Sequence, residues 1–187
     1  LWAGRFFCAL FNTPLFPPAH KLKVKQEPQR RPPVFQKARM RMAYTDRELL
    51  ARLVQCEAGG EGENGMKAVA SVVMNRVNAV GGEYARIGRG RLRNIVFQPG
   101  QFVCASESEG GVYNPQNIYN MRPTEEHYAV ADWALAGNRL PDLSQALWFY
   151  NPFSPQCRGR FPSNVGYLQT RIGNHCFYNP TDAYYQT

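Results

Sequence analysis

The sequence predicts an α+β domain in which helices come first and a small antiparallel sheet follows. Three observations carry this. Apolar residues recur at helical spacing between positions 45 and 136. Short runs rich in aromatic and β-branched residues begin only at position 146. Gly, Pro and Asn clusters punctuate the chain between them.

Order is expected from Thr45. Thr45-Asp46-Arg47-Glu48 reads as a capping box, with Thr45 as cap and Glu48 reaching back from the third position. Leu49, Leu50, Leu53 and Val54 then form a helical stripe, and Gly59-Gly60 stops the helix. Glu57 falls in its last turn. Asn64 is the expected cap of a second helix over residues 65–79, central because Met66, Val69, Ala70, Val72, Val73, Met74 and Val77 cover more than one face. Arg76 is expected to pair with Glu61 or Glu63, or to be solvated. Residues 80–93, with Gly81, Gly82, Gly88 and Gly90 among Arg86, Arg89, Arg91 and Arg93, read as a mobile basic loop. They lack the order of a phosphate-binding loop. Ile95-Val96-Phe97 is a short apolar element, and residues 105–123 read as a long polar surface loop. Thr124 caps a further helix over 125–136, stopped by Gly137, with Tyr128, Ala131 and Leu135 facing the core. Residues 146–150 read as a strand stopped by Asn151-Pro152. Residues 153–164 read as a loop, and 167–172 and 176–178 as strands around the turn Gly173-Asn174.

The charge divides the chain. It has 187 residues and a formal net charge of +8. Residues 1–43 hold nine Lys/Arg and one acid, Glu27, which accounts for all of it, while residues 44–187 hold thirteen of each sign. The first segment has the Pro-, Lys- and Gln-rich composition of a linker, the second that of a folded domain. The aromatic stretch 1–18 is too short and too interrupted to span a bilayer; it reads as a processing or anchor remnant, or as a strap packed on the domain. The basic segment suits an anionic wall polymer or a membrane surface, or is a solvated linker. A neutral domain without a nucleic-acid-binding motif argues against specific nucleic-acid recognition, and no specific protein partner is implied.

The five cysteines form no C-x-x-C pair, so no metal ligand set and no cofactor is expected. Cys157 and Cys176 flank the last basic loop and can pair in an oxidising compartment; buried inert thiols are the alternative. No G-x-S-x-G is present, and no local pattern supports Cys56 or Cys104 as a nucleophile with His175.

Glu57 is the residue with chemistry to offer. A carboxyl in the last turn of a helix faces the negative end of the macrodipole, and burial adds to the pressure against ionisation. A carboxyl kept protonated near neutral pH suits a general acid. Its rival role is a structural ion pair. Glycosidic cleavage by a carboxylate pair needs a second acid, and Glu61 is the first candidate. Phe102, Tyr150 and Tyr178 offer faces on which a sugar ring can stack. Asn151 and His175 offer hydrogen bonds. Core packing is the competing role for the aromatics, and a structural hydrogen bond for His175.

Four ordered blocks then resemble a known family, the spore-cortex-lytic cell wall hydrolases of the SleB/CwlJ type. The first is Glu57-Ala58, Gly60-Glu61, Gly65 and Asn75-Arg76 within residues 49–76. The second is Val96-Phe97-Gln98-Pro99-Gly100-Gln101-Phe102. The third and fourth, Ala146-Leu147-Trp148-Phe149-Tyr150-Asn151-Pro152 and Asn174-His175-Cys176-Phe177-Tyr178, are similar to the CwlJ branch. The resemblance covers about residues 44–180. It implies a lysozyme-like fold, cleavage of peptidoglycan glycan strands outside the cytoplasm, and the catalytic acid role for Glu57. It also favours anhydro-forming cleavage by a single acid. A non-catalytic module binding glycan or anionic polymer is the alternative.

Overall fold

The computed structural model describes residues 44–160 and 164–187. Residues 1–43, and with them the linker, the aromatic stretch and Cys8, lie outside the described residues. The order is α1 (Asp46–Ala58), α2 (Gly62–Val77), α3 (Gly82–Gly88), α4 (Leu92–Val96) and a 3-10 turn (Val103–Ala105). A small hairpin follows, β1 (Ser108–Glu109) with β2 (Val112–Tyr113), then α5 (Glu125–Leu135), a 3-10 turn (Pro141–Leu143) and β3 (Trp148–Tyr150). β4 (Gly166–Ile172), β5 (His175–Pro180) and a final 3-10 turn (Asp182–Gln186) complete it. The second sheet is antiparallel in the order β3-β5-β4, with Trp148 opposite Tyr178, Tyr150 opposite Cys176, and Ile172 opposite His175 at the turn. The three-stranded sheet follows the helices, as read from the sequence, while the β1–β2 hairpin lies before α5 within the stretch 105–123 expected as a loop.

The core forms where the helical stripes meet. Leu49, Leu50, Leu53 and Val54 of α1 are fully buried with Met66, Val69 and Val73 of α2 and Val130, Ala131 and Ala134 of α5. Each large aliphatic side chain taken from water in this way contributes about 1.5–3 kcal/mol. On the other side of α2, Ala68 and Val72 meet Leu143, Ala146 and Phe177, so one helix is packed against both the other helices and the sheet. Among the described residues no helix is long and apolar enough to cross a membrane.

Several local expectations are corrected. Thr45 does cap α1, its hydroxyl accepting the Glu48 amide at 3.2 Å. Glu48 does not reach back. Its carboxylate accepts from Arg52 Nε at 2.5 Å and from the Tyr128 hydroxyl, because an ionic partner one helical turn away offers more than a backbone amide. The second helix begins at Gly62 rather than Gly65, with Glu61 and not Asn64 at its N-cap position, and it ends at Val77. Residues 80–93 are not a mobile loop: most of them lie in α3 and α4. Their glycines permit close packing. A Cβ on Gly88 would lie 2.7 Å from Ile95 Cδ1, and Tyr84, Leu92, Ile95 and Val96 are buried. Arg76 is neither solvated nor paired with Glu61 or Glu63. It is buried, donates from Nε to Leu147 O at 2.6 Å, and lies over the rings of Tyr84 and Phe102 at 4.9 and 5.3 Å.

Candidate active site

Gly59 and Gly60 stop α1 one turn after its buried stripe, which sets Glu57 at the edge of the core with its side chain half-buried. A thiol meets it there. Cys104, from the 3-10 turn, donates from Sγ to Glu57 Oε1 at 3.1 Å. The wall beside α1 is the segment 116–122, pinned by the helix itself. Arg52 Nη1 donates to the carbonyls of Ile118 (3.2 Å) and Met121 (2.7 Å), Gln55 Nε2 to Arg122 O (3.0 Å), and Cys56 Sγ to Gln116 O (3.2 Å). The Ile118 amide in turn donates to Cys104 O at 2.7 Å, which fixes the thiol facing Glu57.

Burial pushes the Glu57 carboxyl above its ordinary pKa, and it outweighs the Cys104 hydrogen bond and the Arg76 charge, which both pull it down. The group therefore has the two properties a general acid needs. It keeps its proton to a higher pH than an ordinary carboxyl, and once the proton leaves, a donor and a cation are in place to accommodate the carboxylate.

Glu61 is turned the other way. Its Oε2 accepts the Asn174 amide and its Oε1 accepts Asn174 Nδ2, both at 2.9 Å, so it ties the head of α2 to the β4–β5 turn. Gly173 sits at φ +56°, and a Cβ there would lie 2.2 Å from Glu61 Oε2; only glycine lets the carboxylate approach. His175 follows, with Nδ1 3.9 Å from Glu61 Oε1 and its ring edge-on to Phe149 at 5.5 Å. Burial lowers the His175 pKa; Glu61 opposes this and Arg171 adds to it, so the imidazole is neutral at pH 7.

Of the other candidate contacts, Phe102, Tyr150 and Tyr178 are buried, Phe102 beneath Arg76 and Tyr178 with its hydroxyl donating to Arg158 O at 2.7 Å. Tyr150 stacks on Tyr178 with ring centroids 5.8 Å apart. It also lines a pocket of about 310 Å³ with Pro152, Ser154, Gln156, Cys157 and Arg158. A disulfide joins Cys157 to Cys176 of β5 and so ties this loop to the sheet. Asn151 Oδ1 accepts the Phe153 amide at 2.8 Å, holding Phe153 at φ +50° with its side chain 61% exposed.

Sequence reasoning missed three of these groups. Cys104 has no local pattern and meets Glu57 only through the fold. Arg52 likewise carries no local sign of its partners, the carbonyls of Ile118 and Met121. Phe153 does have a local signal, an aromatic directly after Asn-Pro, where a turn exposes it.

Residues 60–178, well over half the chain, match the family described as Cell Wall Hydrolase. The chain belongs to the cell wall hydrolase family. The match begins just past Glu57 and spans Glu61, Arg76, Cys104, Tyr150 and His175. This cell wall hydrolase is 32% identical over 148 residues to Cell wall hydrolase CwlJ of Halalkalibacterium halodurans, covering 77% of this chain and 92% of that one. It is 29% identical over 142 residues to CwlJ of Bacillus subtilis, covering 76% and 90%. In structure it is similar to the catalytic domain of the Bacillus cereus SleB protein, with a TM-score of 0.53 and 25% identity over 72% of this chain and 89% of that one. The fold of this cell wall hydrolase is the lysozyme-like α+β arrangement of that neighbour.

Proposed function

We propose that this cell wall hydrolase cleaves the glycan strands of peptidoglycan, with Glu57 as the general acid and then the general base. The observation that carries the reading is the Glu57 site itself: a half-buried carboxyl with a raised pKa, a thiol donor on Oε1 and a buried guanidinium within electrostatic reach. In the proposed reaction Glu57 gives its proton to the glycosidic oxygen, the bond from that oxygen to the anomeric carbon of muramic acid breaks, and the 6-hydroxyl of the same sugar attacks that carbon. The hydroxyl's proton goes to the Glu57 carboxylate, so the enzyme returns to its starting state and the product carries a 1,6-anhydro end.

One observation favours this over a two-carboxylate hydrolysis. Both oxygens of Glu61 are engaged by Asn174, which gives Glu61 the place of a positioning residue holding the turn that carries His175. As general base, Glu61 would have to activate a water through its remaining lone pairs while it holds this turn. Tyr150, which lines the pocket, its chain neighbour Asn151, and the neutral His175 are the proposed glycan contacts, while Phe102 and Tyr178 shape the wall from beneath. Residues 44–187 are the proposed catalytic domain. Residues 1–43 are proposed as a basic segment that holds it to an anionic wall polymer or membrane surface. The Cys157–Cys176 disulfide supports action outside the cytoplasm.

Digestion of purified peptidoglycan in heavy-oxygen water, followed by mass spectrometry, tests the reading. The expected products have anhydromuramic ends one water lighter than hydrolysed ends and carry no label. Label at new reducing ends means hydrolysis and returns Glu61 to the place of second carboxylate. An intact substrate means a binding module.

A further inference from the structure

The proposed cleavage uses Glu57 but leaves one of its neighbours unexplained. Cys56 precedes it on α1, Cys104 faces it from the 3-10 turn, and one ligand atom from each of Cys56, Glu57 and Cys104 lies within 4.8 Å of the others. Among the described residues these two are the cysteines outside a disulfide. We propose that Cys56, Glu57 and Cys104 form a binding site for a soft divalent cation of the zinc class, and that filling it stops cleavage by occupying the carboxyl that gives the proton. The second half rests on the acid role proposed for Glu57.

Ligand chemistry, geometry and charge all favour such an ion. Two sulfurs and one carboxylate oxygen select zinc or cadmium over the hard cations magnesium and calcium. A tetrahedral zinc with sulfur at about 2.3 Å and oxygen at about 2.0–2.2 Å holds its ligand atoms roughly 3.5–3.8 Å apart. The Cys104–Glu57 pair stands at 3.1 Å and no pair exceeds 4.8 Å, so side-chain shifts of about an ångström suffice. Three protein ligands leave a fourth position open, and the half-buried side chains of Cys56 and Glu57 leave a way in. On binding, both thiols and the protonated fraction of Glu57 give their protons to water. Two thiolates and a carboxylate around a dication sum to a single negative charge. Arg76 is placed to offset it: the guanidinium already acts on Glu57, and its buried Nη1 has no hydrogen-bond partner among the described residues. Binding forfeits the hydrogen bonds from Cys104 to Glu57 and from Cys56 to Gln116. The proton release makes the apparent affinity climb steeply with pH.

The test uses the full chain with Cys8→Ser as background, since Cys8 lies outside the described residues. Peptide mass mapping without reduction comes first, and a Cys56–Cys104 disulfide in the purified protein overturns the site. Cadmium is then titrated while the ultraviolet thiolate-to-metal charge-transfer band is followed, and peptidoglycan cleavage is assayed on the same samples. The expected result is saturation at one equivalent, loss of cleavage in step with the band, and recovery on adding a chelator. Cys56→Ser keeps a donor for Gln116 O and should cleave normally without metal. Its apparent affinity should fall by at least ~100-fold, since even outer-shell changes at metal sites cost 10–100-fold, and cleavage should resist cadmium to the same extent. No band, or a band unchanged in Cys56→Ser, overturns the site. A saturating band with cleavage undiminished keeps the cation site and overturns the acid role of Glu57.

Discussion

Glu57 sits between two opposing demands, and they make its ionisation visible in stability as well as in activity. Burial raises its pKa in the folded chain, so between the ordinary carboxylate pKa and the raised one the folded state binds a proton that the unfolded state has released. Stability from this group is therefore full at low pH and is lost as pH rises through the window. Glutamine cannot ionise. The melting temperature of Glu57→Gln relative to the parent should rise steadily with pH across that window. A difference that is flat or falls with pH contradicts a buried, proton-holding Glu57. This residue was readable in the sequence because a helix stop is a local signal: Gly59-Gly60 places Glu57 in a last turn wherever the rest of the chain goes. Its partners were not. Cys104 is 47 residues distant, and Arg76 looked like half of an ion pair because burial of a guanidinium over the rings of Tyr84 and Phe102 has no local sign.

Two corners of the main chain hold the site in place, and glycine decides one of them. The β4–β5 turn was legible as Gly173-Asn174, but the direction of Glu61 was not, because the glycines around it leave the corner free until Asn174 captures the carboxylate. Gly173→Ala puts a Cβ 2.2 Å from Glu61 Oε2 at φ +56°. It should cost about 1–3 kcal/mol, the scale of a strained backbone position, and should lower cleavage by letting His175 and Asn174 drift from α2. Denaturant unfolding and a peptidoglycan assay measure the two effects; wild-type stability contradicts the tie. The misreading of α3 and α4 has the same root. Glycines among arginines suggest mobility, whereas Gly88 is small because Ile95 packs directly on it, a contact made only when α3 and α4 fold against each other.

At the scale of the molecule, the order of helices and sheet followed from periodicity, residue type and turn punctuation, and the four family blocks converge because α2 lies between the helical core and the sheet. The formal charge is the other molecular property. Deleting residues 1–43 removes the whole +8 excess. The remaining domain should stay folded and cleave soluble glycan fragments at the parent rate. Its binding to intact anionic walls should weaken and lose most of its salt dependence, since screening acts on exposed charge. Sedimentation with purified walls across a salt series measures this. Unchanged binding removes the segment from wall attachment, and loss of folding assigns it to the core instead.

The most direct measurement is the turnover of Glu57→Gln on purified peptidoglycan. Glutamine keeps the shape of the side chain and can accept the Cys104 hydrogen bond, but it has no proton to transfer. The expected rate is at least ~100-fold below the parent, the scale of losing a general acid, with circular dichroism unchanged. A folded Glu57→Gln chain that releases glycan fragments at close to the parent rate contradicts the assignment of Glu57 as the acid.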